Sequence, residues 1–452
     1  MEDQRLIRAR MLNLIWPAAA ENLLLLGAQM VNLAMVGRLG AEALGAVGLG
    51  NRLTNIIWAL FTTFTTGAVV RVAQAVGAQD ARRAARIAEQ TLVAAAGSVA
   101  ALAAVLWAQA PLFLRLFGPE AGVILQGTPY LRLLAFGIPA FAMQLVAGAI
   151  LRGAGNSRTP MLVALFSNLL NLAGNYVLIF GRLGLPALGL NGSALATVLS
   201  QYTGAAVALG CLLSAQSPVR LGGFRPERGG WGEVGPVVRV GFPTAMESLA
   251  WQIAAAILTG VITAHGTAAL AGYQVGLTIE GVSYMPTQAV MVAATALVGQ
   301  AVGGRDLALA YRYIGGLLRW GTAIVLGTSA LLFLFPYQMA RLLTQDQAVA
   351  LVGATYLRYM AFCELPYGLA GILNGALRGT GHTREPLVAM AVGLWAFRLP
   401  LALYFSRTGA LGLPGIWLAI VIDLVVRFLV SLWFFYRSSW RQEFVSRVEV
   451  SA

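Results

Sequence analysis

The chain has no lysine: its 31 basic residues are all arginine. A phosphate-binding GxxxxGK[ST] loop is therefore absent, and ATP-driven work by this chain alone is not expected. Charge of either sign is scarce, at 11% of 452 residues, against 58% hydrophobic. With a mean hydropathy of +0.74, the chain has too little polar surface to solvate a soluble globule of its size. Cysteine and histidine are almost missing. Cys211 and Cys363 fall inside apolar runs without metal-ligand spacing and read as ordinary helix residues. His265 and His382 sit in loops with no partners for a metal. No HExxH, paired-Asp or Ser/His constellation occurs in the apolar runs, so the sequence does not read as an enzyme and implies no cofactor.

What is abundant is apolar sequence. Twelve runs reach the roughly 20 residues needed to cross a hydrocarbon core of about 30 Å. They cover residues 12–37, 44–72, 88–112, 129–151, 160–181, 191–213, 238–263, 270–298, 314–338, 355–377, 387–406 and 412–436. Helix is the expected conformation, because the runs are uninterrupted rather than alternating and a spanning backbone must satisfy its own hydrogen bonds. The net charge of +13 then follows from topology and not from nucleic-acid binding. With Arg5, Arg8 and Arg10 placed in the cytoplasm, twenty-one arginines fall on the inner side, among them Arg225 and Arg228 of the central linker and Arg441 and Arg447 near the C-terminus. Seven fall on the outer side, counting those within the last turns of a span, and Arg52, Arg398 and Arg427 lie deeper within spans. This bias predicts a multi-pass protein of the cytoplasmic (inner) membrane with both termini cytoplasmic. The first run is too long for a signal peptide and carries Glu21, so it reads as an uncleaved span.

The chain is written twice. At an offset of 226 residues, Pro17 falls on Pro243, Glu21 on Glu247, Gly40 on Gly266 and Gly50 on Gly276. The same offset lays "AQAVGAQD" (Ala73–Asp80) on "GQAVGGRD" (Gly299–Asp306) and "LRGAGNSRTP" (Leu151–Pro160) on "LRGTGHTREP" (Leu377–Pro386). Near the end the register becomes 223, laying "GLNGSALA" (Gly189–Ala196) on "GLPGIWLA" (Gly412–Ala419). The fold class expected is all-α integral membrane, with two six-helix bundles related by a pseudo-twofold axis along the membrane normal. The domains expected are an N-lobe at residues 1–213, a cytoplasmic linker at 214–237 and a C-lobe at 238–452.

Away from their ends the spans hold Glu21, Glu247, Glu280, Glu364 and Asp423. A carboxylate at membrane depth is retained for pairing, protonation or ion binding. Glu21 and Glu247 occupy one slot in both copies, each four residues after a proline that loosens its helix. They are ion-coupling candidates, or alternatively hydrogen-bonded ties between helix ends. Glu280 and Glu364 precede Pro286 and Pro366 and are ion-coupling candidates too. Asp423 and Arg427, spaced i, i+4 with the acid first, are expected to form a structural ion pair that Arg398 is placed to join.

"MVGRLG" (Met35–Gly40), the paired "VGAQD" and "VGGRD", the paired "LRGxGxxRxP" and "NYVLIFG" (Asn175–Gly181) together resemble the multidrug and toxic compound extrusion (MATE) family. The resemblance spans roughly residues 12–436. It implies a twelve-helix exporter with two lobes around a central cleft, driving small organic cations or amphipathic drugs outward against H+ or Na+ as coupling ion. A monomer in contact with membrane lipid is expected. The alternative is a lipid or lipid-linked glycan flippase of the wider superfamily, which calls for a basic, roomy cleft. Many bacterial members carry an Asp in helix 1 ("vDxxmvGrlG") and another in helix 5 ("NxxxDyxLIfG"). Here Asn32 and Asn175 stand at those places, with Asn171 as the helix 5 Asn. An amide binds a cation or a substrate through its oxygen but releases no proton. Coupling then falls to Glu21 and Glu247, to Glu280 or Glu364, or to another arrangement. Asn32, Asn171 and Asn175 either line an N-lobe substrate pocket or join helices.

Overall fold

The computed structural model describes residues 2–437 except 117, 119–120, 216, 223–230 and 409–410. Arg225, Arg228, Arg441 and Arg447 lie outside the described residues. Among the described residues all regular structure is helical, and twelve helices are long and apolar enough to cross a membrane. In chain order the first six are α1 (Glu2–Gly37), α2 (Ala41–Gly77), α3 (Ala81–Ala108), α4 (Ala121–Gly153), α5 (Arg158–Phe180) and α6 (Gly189–Leu213). The second six are α7 (Val234–Thr263), α8 (Thr267–Gly303), α9 (Leu307–Leu334), α10 (Gln347–Thr380), α11 (Arg384–Thr408) and α12 (Gly412–Arg437). Several outrun their apolar runs. α1 starts at Glu2 rather than near residue 12, because the Arg5, Arg8 and Arg10 turns are helical although polar. An apolar run marks the hydrocarbon core, whereas a helix continues into the headgroup region.

Helices divide the described chain into two compact units: one of Trp16–Phe242, here the N unit, and one of Met1–Ile15 with Pro243–Ala452, here the C unit. Within the N unit α4 packs on α2, α3 and α6, and within the C unit α10 packs on α8, α9 and α12. The duplication holds down to single turns. A short helix follows the third helix of each copy, at Ala110–Arg115 and Pro336–Leu343. Gln79 and Arg305, the fourth residues of "VGAQD" and "VGGRD", both take the left-handed conformation, with φ of 58° and 56°. The next residue caps the following helix: Asp80 accepts the amide of Arg83 at 2.9 Å and Asp306 that of Leu309 at 2.8 Å. The glycine of each "LRG" lets α4 and α10 press on a neighbouring backbone. A Cβ at Gly153 would lie 2.7 Å from the Val69 carbonyl oxygen, and one at Gly379 would lie 2.7 Å from that of Thr295.

The outside of each unit is apolar, with Leu125, Leu162, Leu331 and Leu351 all more than half exposed. Aqueous solvent would penalise such a surface and lipid does not. The innermost packing of the C unit centres on Trp417, which is fully buried. Tyr273 stacks on it at 5.5 Å between centroids and Tyr356 meets it edge-on at 4.9 Å.

Candidate functional site

The duplicated acids meet duplicated arginines. Both carboxylate oxygens of Glu21 accept Nη1 of Arg152 at 3.0 Å, joining α1 to α4 inside the N unit. Glu247 Oε2 accepts Nη2 of Arg378 at 2.5 Å, joining α7 to α10 inside the C unit. Arg152 and Arg378 are the arginines of the two "LRG" motifs, again 226 residues apart. Each acid is thus neutralised by the motif that ends the fourth helix of its own copy.

The three asparagines come together. Asn175 on α5 is fully buried and its Nδ2 donates to Oδ1 of Asn32 on α1 and Oδ1 of Asn171, both at 3.1 Å. Two residues of α6 complete the cluster: Ser193 donates to Asn32 Oδ1 at 3.2 Å and Thr197 accepts Asn171 Nδ2 at 3.1 Å. The group holds three helices together through amides and hydroxyls alone and contains no ionisable side chain. Asn175 Oδ1 is buried and accepts no hydrogen bond among the described residues.

The C unit gathers its polar residues differently, around a cavity of about 90 Å³. Its wall includes Trp251, Glu280, Tyr284, Tyr367, Arg398 and Arg427. Glu280 on α8 is buried and satisfied by phenols: Tyr284 donates to Oε1 at 2.6 Å, and Tyr356 on α10 donates to Oε2. The ring of Tyr284 stacks on Tyr367 at 4.2 Å, and Tyr367 accepts Gln288 Nε2 at 2.8 Å. Glu364, fully buried on α10, accepts Ser283 Oγ on Oε1, while its Oε2 accepts no hydrogen bond among the described residues. On the opposite helices Asp423 is wholly buried between two guanidiniums. Arg427 forms a fork with it at 2.6 and 2.7 Å, and Arg398 Nε lies 2.6 Å from Oδ2.

Local backbone makes that triad possible. Val392–Arg398 forms a π-helical stretch in α11, a conformation frequent at functional sites. Gly393 within it lies so close to Asp423 and Arg427 that a Cβ would overlap both. Around this cavity the charges of Arg398 and Arg427 balance those of Asp423 and Glu280 when all four are ionised.

Sequence reasoning missed Tyr284, Tyr356, Tyr367 and Ser283, and on the other side Ser193 and Thr197. Two signals were available. Tyr284 follows Glu280 at i+4 and Thr197 follows Ser193 at i+4, so each pair shares a helix face. Tyr356 and Ser283 gave none, because their partners lie on another helix.

Two six-helix copies with polar clusters inside apolar, membrane-length helices define a multi-pass membrane transporter and not an enzyme. The chain belongs to the MatE family, whose model matches residues 17–177 and 243–404, one block in each copy. It is 30% identical over 442 residues to the probable multidrug resistance protein NorM of Thermotoga maritima, covering 97% of this chain and 94% of that one. It is 26% identical to the uncharacterized transporter YisQ of Bacillus subtilis, covering 92% and 91%. Among solved structures, a mutant of the Vibrio cholerae MATE transporter VcmN shares the fold with a TM-score of 0.90 at 19% identity, covering 98% of this chain and 99% of that one.

Proposed function

We propose that this protein is a secondary active exporter of the cytoplasmic membrane, with both termini cytoplasmic. It antiports small cationic or amphipathic organic compounds out of the cell against H+ or Na+ by alternating access. The name of the Thermotoga maritima relative, a probable multidrug resistance protein, supports the substrate class. The observation that carries the coupling is Glu280, a buried carboxylate on a cavity wall whose oxygens meet phenol hydroxyls rather than a guanidinium. Glu21, Glu247 and Asp423 are each held by arginine. Glu280 is the acid positioned to take up either an ion or a cationic substrate, and competition between the two at one carboxylate is sufficient for exchange. The faces of Tyr284, Tyr367 and Trp251 suit an organic cation through their quadrupoles. Glu364, one oxygen of which accepts no hydrogen bond among the described residues, is the second candidate.

The test is reconstitution in liposomes, imposing a pH gradient and a Na+ gradient separately and following ethidium transport. Wild type is expected to respond to one gradient, and Glu280→Gln to bind ethidium while losing that response. Transport by Glu280→Gln at the wild-type rate would remove Glu280 from the coupling. A flippase is the second reading, favoured by Arg398 and Arg427 on the same wall. It predicts movement of a headgroup-labelled lipid, and no ethidium transport, in the same liposomes.

A further inference from the structure

We propose that the C-unit cavity walled by α7, α8, α10, α11 and α12 binds a small monovalent inorganic anion, of about the size of chloride, together with a proton on Glu280. Donors are left over there, while the carboxylate oxygens nearby are already engaged. Glu280 receives one phenol on each oxygen, Tyr284 on Oε1 and Tyr356 on Oε2. Asp423 receives the fork of Arg427 on Oδ1 and Oδ2. Arg398, on the cavity wall, rests its Nε against Asp423 Oδ2 at 2.6 Å, and its two terminal nitrogens make no hydrogen bond among the described residues. Tyr273, on the same wall, is 5% exposed, and its hydroxyl makes none either. Leaving such buried donors empty costs free energy, so the group that suits the space between them is an acceptor.

Size and charge narrow the acceptor. The cavity holds about 90 Å³, whereas a pocket for a drug-sized molecule starts at about 300 Å³. A water takes up about 30 Å³, and a chloride ion is of similar size. With all four groups ionised, Arg398 and Arg427 cancel Asp423 and Glu280, and an added anion would leave the cavity negative. A proton on Glu280 leaves it one charge positive, and the anion then restores neutrality. Proton and anion each raise the affinity for the other by the same factor.

Around Glu280 stand the phenols of Tyr273 and Tyr284 on its own helix and of Tyr356 and Tyr367 on α10, which carry no charge near neutral pH. Arg398 on α11, Arg427 and Asp423 on α12, and Glu364 beside Cys363 on α10 are the other ionisable groups near it. From α7 the wall takes Trp251, and among the described residues α9 lends it no ionisable side chain. The first copy has Val47 and Leu172 where the second has Tyr273 and Arg398, so the spare donors are no part of the duplicated scaffold. Their contacts with an anion stand apart from what the protein transports, and the proton linkage alone rests on Glu280 as the acid that takes up an ion.

The experiment uses the full chain purified in detergent and reads the thermal midpoint while sodium chloride replaces sodium gluconate at constant total sodium. At pH about 5.5 chloride is expected to raise the midpoint saturably over gluconate, and at pH about 8.5 its apparent dissociation constant should be at least about tenfold larger. Arg398→Gln should abolish the shift. Tyr273→Phe, which removes a single hydroxyl and keeps the ring packing, should raise the dissociation constant about threefold or more. Glu280→Gln should hold at the higher pH the affinity that wild type shows at the lower one. Transport of ethidium by Glu280→Gln at the wild-type rate would remove the coupling role of Glu280 and leave these binding results as they stand. No chloride shift over gluconate in wild type, wild-type affinity in both Arg398→Gln and Tyr273→Phe, the same wild-type affinity at both pH values, or Glu280→Gln binding no tighter than wild type at the higher pH would each overturn the proposal.

Discussion

Glu21 and Arg152 lie 131 residues apart in sequence and in contact in the fold, with both carboxylate oxygens 3.0 Å from one guanidinium nitrogen. Glu247 and Arg378 repeat the relationship at the same separation. An ion pair repeated in both copies is expected to act as a tie between the first and fourth helices of each. Each pair is only partly accessible, so deleting one member leaves a charge with reduced solvation. Arg152→Ala and Arg378→Ala are each expected to cost roughly 1–3 kcal/mol. Thermal unfolding of Glu21→Gln, Arg152→Gln and the double variant should show coupling within the pair. Losses at the two pairs, which lie in separate units, should add.

Tyr356 and Tyr130 are counterparts at the 226-residue offset, each packed on the glycine of its copy, Gly276 or Gly50. Their hydroxyls have different surroundings. Tyr356 donates to Glu280, whereas the counterpart of Glu280 is Thr54, whose hydroxyl is bonded to the Gly50 carbonyl at 2.9 Å. Tyr356→Phe should therefore lower stability by about 1–2 kcal/mol and Tyr130→Phe by less than half of that. Equal losses in the two variants would mean that the Glu280 contact contributes nothing.

In the asparagine cluster the donor and the acceptor are not interchangeable. Asn175 supplies an N–H to two oxygens, while Asn32 supplies an oxygen to two donors. Asn175→Asp sets a carboxylate against the oxygens of Asn32 and Asn171 and should cost about 2 kcal/mol or more. Asn32→Asp keeps its acceptor role towards Asn175 and Ser193 and should cost distinctly less. Unfolding midpoints of the two variants decide the order, and the reverse order would require the amide orientations to be inverted.

Gly393 tests the arginine triad. A methyl group there would overlap Asp423 Oδ1 and Arg427 Cγ, whereas a Cβ at Gly260 on α7 meets nothing within 4 Å. Gly393→Ala should cost about 1–3 kcal/mol through overpacking. Gly260→Ala should be neutral or stabilising by up to about 1 kcal/mol, as for an unobstructed helix interior. If the pair shows no difference in thermal midpoint, the close approach of α11 to α12 is dispensable.

The copies agree where the scaffold is built and differ where polar chemistry collects. Thr54, Ile138, Ser200 and Gly204 of the first copy stand where the second has Glu280, Glu364, Asp423 and Arg427. Conversely Asn32, Asn171 and Asn175 face Leu258, Phe397 and Leu401 in the second. Self-comparison of the sequence separates the duplicated tie of Glu21 and Glu247 from the unduplicated clusters, although the comparison by itself does not say which residues touch.

By itself the sequence determined the twelve spans, their division into two copies of six and the turn chemistry that joins them. Those properties are local: a 20-residue apolar run, a left-handed turn before an aspartate cap and a glycine too small to obstruct a neighbour are written within a few residues. Tertiary structure decided the partners. Glu21 finds Arg152 across 131 residues, Glu364 finds Ser283 across 81 and Glu280 finds Tyr356 across 76. A helical pattern gives the face and depth of a side chain in the membrane. Which neighbour turns its own polar face towards that depth is set by helix packing, because in lipid a buried acid gains most from the partner that spares it an unsatisfied oxygen.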